Sequence, residues 1–149
     1  MARRLVAALK FRSALPVADL MAAHMAANLP ATLREPAAAF VPVPAQRARR
    51  RARGFDPASE LTDALGRRAE RPVVRCLVRE DRAGRQVGTG RAARRTEGRI
   101  SVRVRGSPPP LVILVDDVHT TGATLNACAS ALVDAGVGVL AAVSYARTL

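Results

Sequence analysis

The residues best suited to chemistry lie together in residues 111–124, where an apolar run is followed by two carboxylates and a turn rich in threonine. The run at 111–115 is unbroken and rich in β-branched residues, which predicts a strand buried on both faces. Ionised Asp116 and Asp117 are hydrogen-bond acceptors and can hold a vicinal diol. The free amides that begin the next helix favour a phosphate. A phosphate site beside a diol site indicates a sugar phosphate as the ligand, most simply ribose 5-phosphate. The turn that would bind it consists of Thr120, Thr121, Gly122, Ala123 and Thr124.

The same turn also has a purely structural interpretation. Asp and Thr side chains often do no more than cap the helix that follows a strand. Gly122 favours a ligand site because glycine adopts backbone angles closed to other residues, and small neighbours let a ligand approach the main chain. In a parallel sheet, ligands bind at the carboxyl ends of strands, which is where this turn is expected.

The stretch VILVDDVHTTGAT resembles the phosphoribosyl diphosphate (PRPP) motif of type I phosphoribosyltransferases: an apolar strand, two acidic residues, a spacer and a T-T/S-G-x-T loop. The resemblance implies that Asp116 and Asp117 are the catalytic residues and hold the ribose 2- and 3-hydroxyls. The backbone of residues 120–124 would hold the 5-phosphate, and Mg²⁺ would bind with PRPP as the cofactor. His119 occupies the variable spacer and is not expected to be the general base.

A second charged segment follows a short predicted strand at 39–44, which prolines terminate. Charge runs are usually solvated loops, and that is the first interpretation of residues 46–55. The second is a diphosphate clamp, because two parallel strands would bring this segment and the threonine turn to one edge of the sheet. The clamp candidates are five arginines, of which Arg47 and Arg53 are taken as ligand-binding residues: Arg47, Arg49, Arg50, Arg51 and Arg53.

Two further patterns are similar to the ComF family, competence-associated proteins that resemble phosphoribosyltransferases: Lys10-Phe11-Arg12 before a helix, and VPVP followed by arginines and RGF. The family continues with Asn-Gln, whereas this chain has Asp56-Pro57, which predicts a helix N-cap and a first-turn proline. The cysteine-rich zinc ribbon that often precedes this domain in the family is lacking, so either that module is absent or the true start lies upstream.

Residues 79–98 lack hydrophobic periodicity and are predicted to form a flexible loop or flap. They resemble the family stretch R-x-x-x-T-x-x-Q-x-G-L-x-x-x-x-R-x-x-N, which implies closure over the diphosphate with Arg79 and Gln86 as ligand-binding residues. Three family positions differ, which favours a non-catalytic alternative: Ala83, Thr89 and Glu97 replace Thr, Leu and Asn.

The whole chain is predicted to be one α/β domain, residues 1–149, with a type I phosphoribosyltransferase-like fold in which a mostly parallel sheet is flanked by helices. Residues 1–38 hold two N-terminal helices, with Lys10-Phe11-Arg12 as the connector between them. A helix is expected at 58–69, and another follows the threonine turn and ends at Gly136. Strands are expected at 72–78, 100–105 (half-exposed) and 137–143 (buried).

The formal net charge of +12, with Lys10 as the single lysine, favours polyanionic partners, either a diphosphate or nucleic acid. Cys76 and Cys128 form no set of metal ligands, and Cys128 is predicted to be a core residue. No apolar run approaches the length of a membrane span, so a cytoplasmic protein without a membrane partner is expected.

Three functions remain open. The first is an enzyme that transfers phosphoribosyl from PRPP to an unidentified nitrogen acceptor. The second is a non-catalytic PRPP-binding regulator or competence factor with DNA or a helicase as partner in DNA uptake. The third is a basic nucleic-acid module with a vestigial fold. None of these three functions excludes a homodimer.

Overall fold

The computed structural model of the chain describes residues 2–12, 15–34, 37–80 and 100–147. In chain order the elements are α1 (Ala2–Arg12), α2 (Leu15–Ala27), a 3₁₀ turn (Ala31–Leu33), β1 (Ala39–Pro42), α3 (Arg47–Arg53), α4 (Pro57–Ala69), β2 (Leu77–Glu80), β3 (Ser101–Val104), β4 (Leu111–His119), α5 (Ala123–Asp134) and β5 (Gly138–Arg147).

A parallel sheet in the order β1-β4-β5 forms the centre of the fold, which confirms the predicted α/β architecture. Alternate residues of β4 point to opposite faces: Ile113 packs in a core with α1, α2 and α4, whereas Leu114 packs in a core with α5 and β2. Both residues are fully buried, as expected for a parallel strand covered on both faces. Phe40 and Val41 of β1 divide between the two cores in the same way.

β4 is longer than its apolar run. The sequence predicted a strand at 111–115 followed by a turn, but the strand continues through Asp116 and Asp117 to His119. The reason is the neighbouring strand, because β5 runs to Arg147 and gives the polar end of β4 a ladder partner, with Asp116 opposite Ser144. β5 itself was predicted to be buried. It lies at the edge of the described sheet and its side chains are partly exposed.

The two predicted helices of residues 1–38 are present, but Lys10-Phe11-Arg12 forms the last turn of α1 and is not a connector. Val6 and Leu9 of α1 are buried beside Met21 of α2, because apolar residues at helical spacing give each helix one inward face.

The arginine segment is also more regular than predicted, because residues 47–53 form the short helix α3 instead of a loop. The helix ends at Gly54, whose φ of 78° is the left-handed conformation that glycine adopts without strain. The prediction of an N-cap is confirmed: the Asp56 carboxylate accepts hydrogen bonds from the amides of Ala58 and Ser59 at the start of α4.

β2 and β3 form a separate antiparallel pair. The strand expected at 72–78 begins only at Leu77; Val73 makes an isolated parallel bridge to Phe40, and Arg75 is exposed and ion-paired with Asp63. The half-exposed strand expected at 100–105 is confirmed as β3. Of the predicted loop at 79–98, Arg79 and Glu80 belong to β2, and the remainder lies outside the described residues.

Candidate functional site

A polar cavity of about 170 Å³ lies where β1 and β4 end at the same edge of the sheet. Six separate parts of the chain contribute to its walls: α1, the segment after β1, α3, the start of α4, β2, and the end of β4 with the turn and helix that follow. Its charged and hydroxylated lining residues are Lys10, Arg49, Arg53, Asp56, Arg79, Asp116, Asp117, Thr120 and Thr124.

The two carboxylates are held in place by the main chain. The amide of Asp117 donates to Oδ1 of Asp116 at 2.8 Å, and the amide of Val118 donates to Oδ1 of Asp117 at 2.9 Å. Asp117 is 8% exposed, and its Oδ2 lies 3.1 Å from the ammonium of Lys10. Within the described part of the chain, no salt bridge involves Asp116, so its carboxylate has no paired cation there.

The surroundings of Asp116 also affect its protonation. Burial is the largest cause that raises the pKa of Asp116 to about 7, and repulsion from the neighbouring Asp117 carboxylate adds to it, while Lys10 acts in the opposite direction. A bound cation or hydroxyl donors would stabilise the ionised form of Asp116.

The turn between β4 and α5 lies beside this pair. Gly122 is the N-cap of α5 with φ of 77°, and it has no side chain with which to cap the helix. The amide of Ala123 is 3.4 Å from Oγ1 of Thr121. A Cβ on Gly122 would lie 2.8 Å from Nε2 of His119, so the imidazole packs directly against the turn and does not line the cavity.

The basic side of the cavity comes from one face of α3. Arg49 and Arg53 are four residues apart, which places them on the same side of a helix, and both line the cavity. Arg50 and Arg51 are exposed and do not line it. The arginines of α3 therefore fall into two groups according to their position around the helix, those that line the cavity and those that do not.

The structure brings most of the predicted site residues to the cavity wall, but not all. Arg53, Arg79, Asp116, Asp117, Thr120 and Thr124 line it. The others in the turn, Thr121, Gly122 and Ala123, lie next to it without lining it. Arg47 is exposed on α3 away from the wall, and Gln86 lies outside the described residues.

Several lining residues were not predicted as site residues. Lys10 was recognised only as part of a family pattern and Asp56 only as a helix cap, while Arg49 was one of five equivalent candidates. The i, i+4 spacing of Arg49 and Arg53 could have identified them, had the segment been recognised as helical.

Neither thiol lines the cavity. Cys76 and Cys128 are buried, which confirms Cys128 as a core residue, and burial raises the pKa of Cys128 to about 12. Among the described residues, no three His, Cys, Asp or Glu side chains are grouped so that they could hold a metal ion.

None of the helices in the described ranges is both long enough and apolar enough to span a membrane.

No protein-family model matches the chain. Among curated proteins, the competence protein ComFC of Bacillus subtilis (strain 168) is similar to it, with 30% identity over 97 residues. These residues are 65% of this chain but only 39% of the relative, so the match spans well under half of ComFC. The similarity supports membership of this chain in the ComF family, and the parallel sheet with its flanking helices is consistent with the phosphoribosyltransferase-like fold expected of that family.

Proposed function

We propose that the cavity binds PRPP together with Mg²⁺ and that the chain transfers the phosphoribosyl group to a nitrogen acceptor with release of diphosphate. The observation that carries the proposal is the convergence of three ligand chemistries on one cavity: paired carboxylates, a helix N-terminus with threonines, and arginines from α3. Each suits one part of PRPP, namely the ribose hydroxyls, the 5-phosphate and the diphosphate.

The ribose would lie against the acidic pair. Each carboxylate has one oxygen fixed by a main-chain amide, so the pair presents a rigid set of acceptors to two hydroxyl donors. The 5-phosphate would lie at the turn, where Thr120 and Thr124 line the cavity and the first amides of α5 carry the positive end of the helix dipole. A ligand held at both ends has its C1 carbon in a defined position.

The diphosphate would extend toward Arg49, Arg53 and Arg79. The cavity is smaller than the roughly 300–1,000 Å³ of sites that enclose a drug-sized ligand. We therefore expect the diphosphate to lie at the cavity mouth, beside α3. Guanidinium groups bind phosphate oxygens through paired hydrogen bonds, which makes arginine well suited to hold a leaving diphosphate.

Mg²⁺ fits this donor set, because the Asp116 carboxylate has no paired cation among the described residues. When bound with PRPP, the ion would neutralise diphosphate charge, and it would be held mainly by ligand oxygens together with Asp116. The residues of the chain supply position and charge stabilisation: the bond from C1 to diphosphate breaks, diphosphate leaves with the electron pair, and the acceptor nitrogen bonds to C1 and loses its proton.

Calorimetric titration with Mg·PRPP tests ligand binding. The wild-type chain should bind, and Asp116→Asn/Asp117→Asn should lose about 100-fold or more in affinity, because two charged acceptors are removed from the sugar hydroxyls. Arg67→Met is a suitable control, since Arg67 is exposed on α4, pairs with Asp19 and does not line the cavity. Equal affinity in all three proteins would overturn the proposal.

The alternative is a PRPP-binding regulator or competence factor without catalysis. The similarity to a protein named for competence favours it, as do the outward arginines of α3, which offer an exposed basic surface to nucleic acid. Diphosphate release with a panel of bases and amines separates the two candidates. DNA binding that weakens steeply with salt and is unaffected by PRPP or by Asp117→Asn would instead favour a nucleic-acid module with a vestigial site.

A further inference from the structure

Lys10 is the single lysine of the chain, and it lies at the site while belonging to an element far from it in sequence. It occupies the last turn of α1, next to buried Leu9, and its ammonium lies 3.1 Å from Oδ2 of Asp117. Its side chain is 27% exposed and that of Asp117 is 12% exposed, so the ion pair is largely shielded from water. A partly buried pair of this kind is screened much less by salt than a surface pair.

The pair makes the two carboxylates inequivalent. Asp117 has one oxygen on the amide of Val118 and the other beside Lys10, whereas Asp116 accepts from the amide of Asp117 and has no ion pair among the described residues. Removing the ammonium would leave the less exposed carboxylate with an uncompensated charge, which is strongly unfavourable. Among the described residues, Lys10 is thus the cation paired with Asp117, and together with the amide of Val118 it holds this carboxylate at the wall of the cavity.

We propose that Lys10 is a positioning residue for recognition of the phosphopentose: by fixing the Asp117 carboxylate, it orients the acidic pair toward the sugar hydroxyls. The inference rests on the proposed function and extends it to a residue on α1. It also gives the N-terminal helix a direct role in the site, because Lys10 is the one residue of α1 that lines the cavity within the described residues.

A competing role would be direct contact between Lys10 and the diphosphate. The two roles differ in which ligands require Lys10 for binding. A residue that orients the sugar-binding carboxylate is required equally by PRPP and by ribose 5-phosphate, which lacks the diphosphate. A residue that contacts the diphosphate is required by PRPP alone.

The experiment is calorimetric titration of wild type and Lys10→Met with Mg·PRPP and, separately, with ribose 5-phosphate. We expect Lys10→Met to weaken both ligands by a common factor of about tenfold or more. Arg4→Met is the matched control, because it removes one positive charge from an exposed position on the same helix and should leave both affinities unchanged. Lys10→Arg, which retains the charge, should restore most of the affinity.

A double-mutant cycle with Asp117→Asn gives a readout that a general loss of stability would not produce. If Lys10 acts through Asp117, Lys10→Met should cost little further affinity once Asp117 is already Asn. Lys10→Gln provides a second neutral variant if the methionine variant does not fold, and thermal unfolding confirms that the compared proteins are folded.

The outcomes separate this inference from the function on which it rests. Failure of the wild type to bind either ligand overturns the proposed function and the inference with it. Wild-type binding with unchanged ribose 5-phosphate affinity in Lys10→Met overturns the inference alone, as does a cycle in which the two substitutions act independently. A loss confined to PRPP would assign Lys10 to the diphosphate and contradict the positioning role.

Discussion

Two strand-to-helix connections meet at the same edge of the sheet and are chemically opposite. β1 leads into α3, which carries five arginines, whereas β4 carries two carboxylates near its end and leads into α5 through a turn of threonines and glycine. The parallel register, with Pro42 opposite Val115, brings the two connections side by side. A site of this kind is positive on one side and negative on the other.

This difference restricts the ligand. A simple polyanion would be repelled by Asp116 and Asp117, and a simple cation would be repelled by Arg49 and Arg53. A molecule that carries anionic groups at its ends and neutral hydroxyls between them suits both sides. The comparison of the two connections therefore points to a phosphorylated sugar more specifically than either connection alone.

The largest effect on recognition of the diphosphate should come from the basic side. Arg49→Met/Arg53→Met should weaken Mg·PRPP binding by about 100-fold while changing ribose 5-phosphate binding little, because charge-assisted contacts to the diphosphate are lost. The matched control is Arg50→Met/Arg51→Met, which removes the same charge from the outward face of the same helix. Equal losses in the two double variants would show that α3 acts only through its net charge.

On the acidic side, Asp116→Asn should stabilise the ligand-free chain near pH 8 but not near pH 4. The pKa of Asp116 is raised from 3.8 to about 7, so the folded chain retains a proton that the unfolded chain releases between these values. Stability therefore falls as the pH rises through this window, and the neutral amide avoids that loss. Urea unfolding at both pH values checks this; a gain that is larger at acid pH contradicts it.

Alanine substitutions at two glycines test the packing of the turn between β4 and α5. Gly54 and Gly122 both have φ near +78°, so alanine at either position should cost about 1 kcal/mol. A Cβ at Gly54 meets nothing within 4 Å, whereas one at Gly122 meets His119. Gly122→Ala should therefore lower the thermal midpoint more than Gly54→Ala, and His119→Ala should remove the excess. Identical shifts for the two glycines would show that the contact with His119 is unimportant.

The smallest expected effect is on stability and concerns Asp56, which supports the segment between β1 and α4. The Asp56 carboxylate caps α4 and accepts the amide of Ala45, so it ties the segment after β1 to that helix. Asp56→Ala should destabilise the chain by about 1 kcal/mol in urea unfolding. Asp56→Asn retains the capping oxygen and should lose less; an equal loss would place the contribution in the bond to Ala45.

The sequence was informative where a pattern is local. The apolar run before Asp116 predicted a strand buried on both faces, and the Asp56-Pro57 pair predicted the start of α4; both are confirmed. These features depend on neighbouring residues in the chain, so hydrophobic periodicity and capping chemistry were sufficient to find them.

The features that the sequence did not predict depend on contacts between residues that are distant in sequence. The extension of β4 to His119 needs β5 as its ladder partner, and the location of Lys10 at the site needs α1 to pack over the sheet. The division of the arginines into those that line the cavity and those that do not needs a helix in a segment whose composition resembles a solvated loop. Tertiary contacts decide the first two cases, and the i, i+4 spacing of Arg49 and Arg53 is informative only once the segment is known to be helical.

A crystal structure of the chain with Mg·PRPP is the most direct test of the proposed site. We expect the ribose hydroxyls on the carboxylates of Asp116 and Asp117, the 5-phosphate at the turn that begins α5, and the diphosphate beside Arg49 and Arg53. A ligand bound elsewhere, or bound here with its phosphate on α3 and its sugar away from both carboxylates, would contradict it.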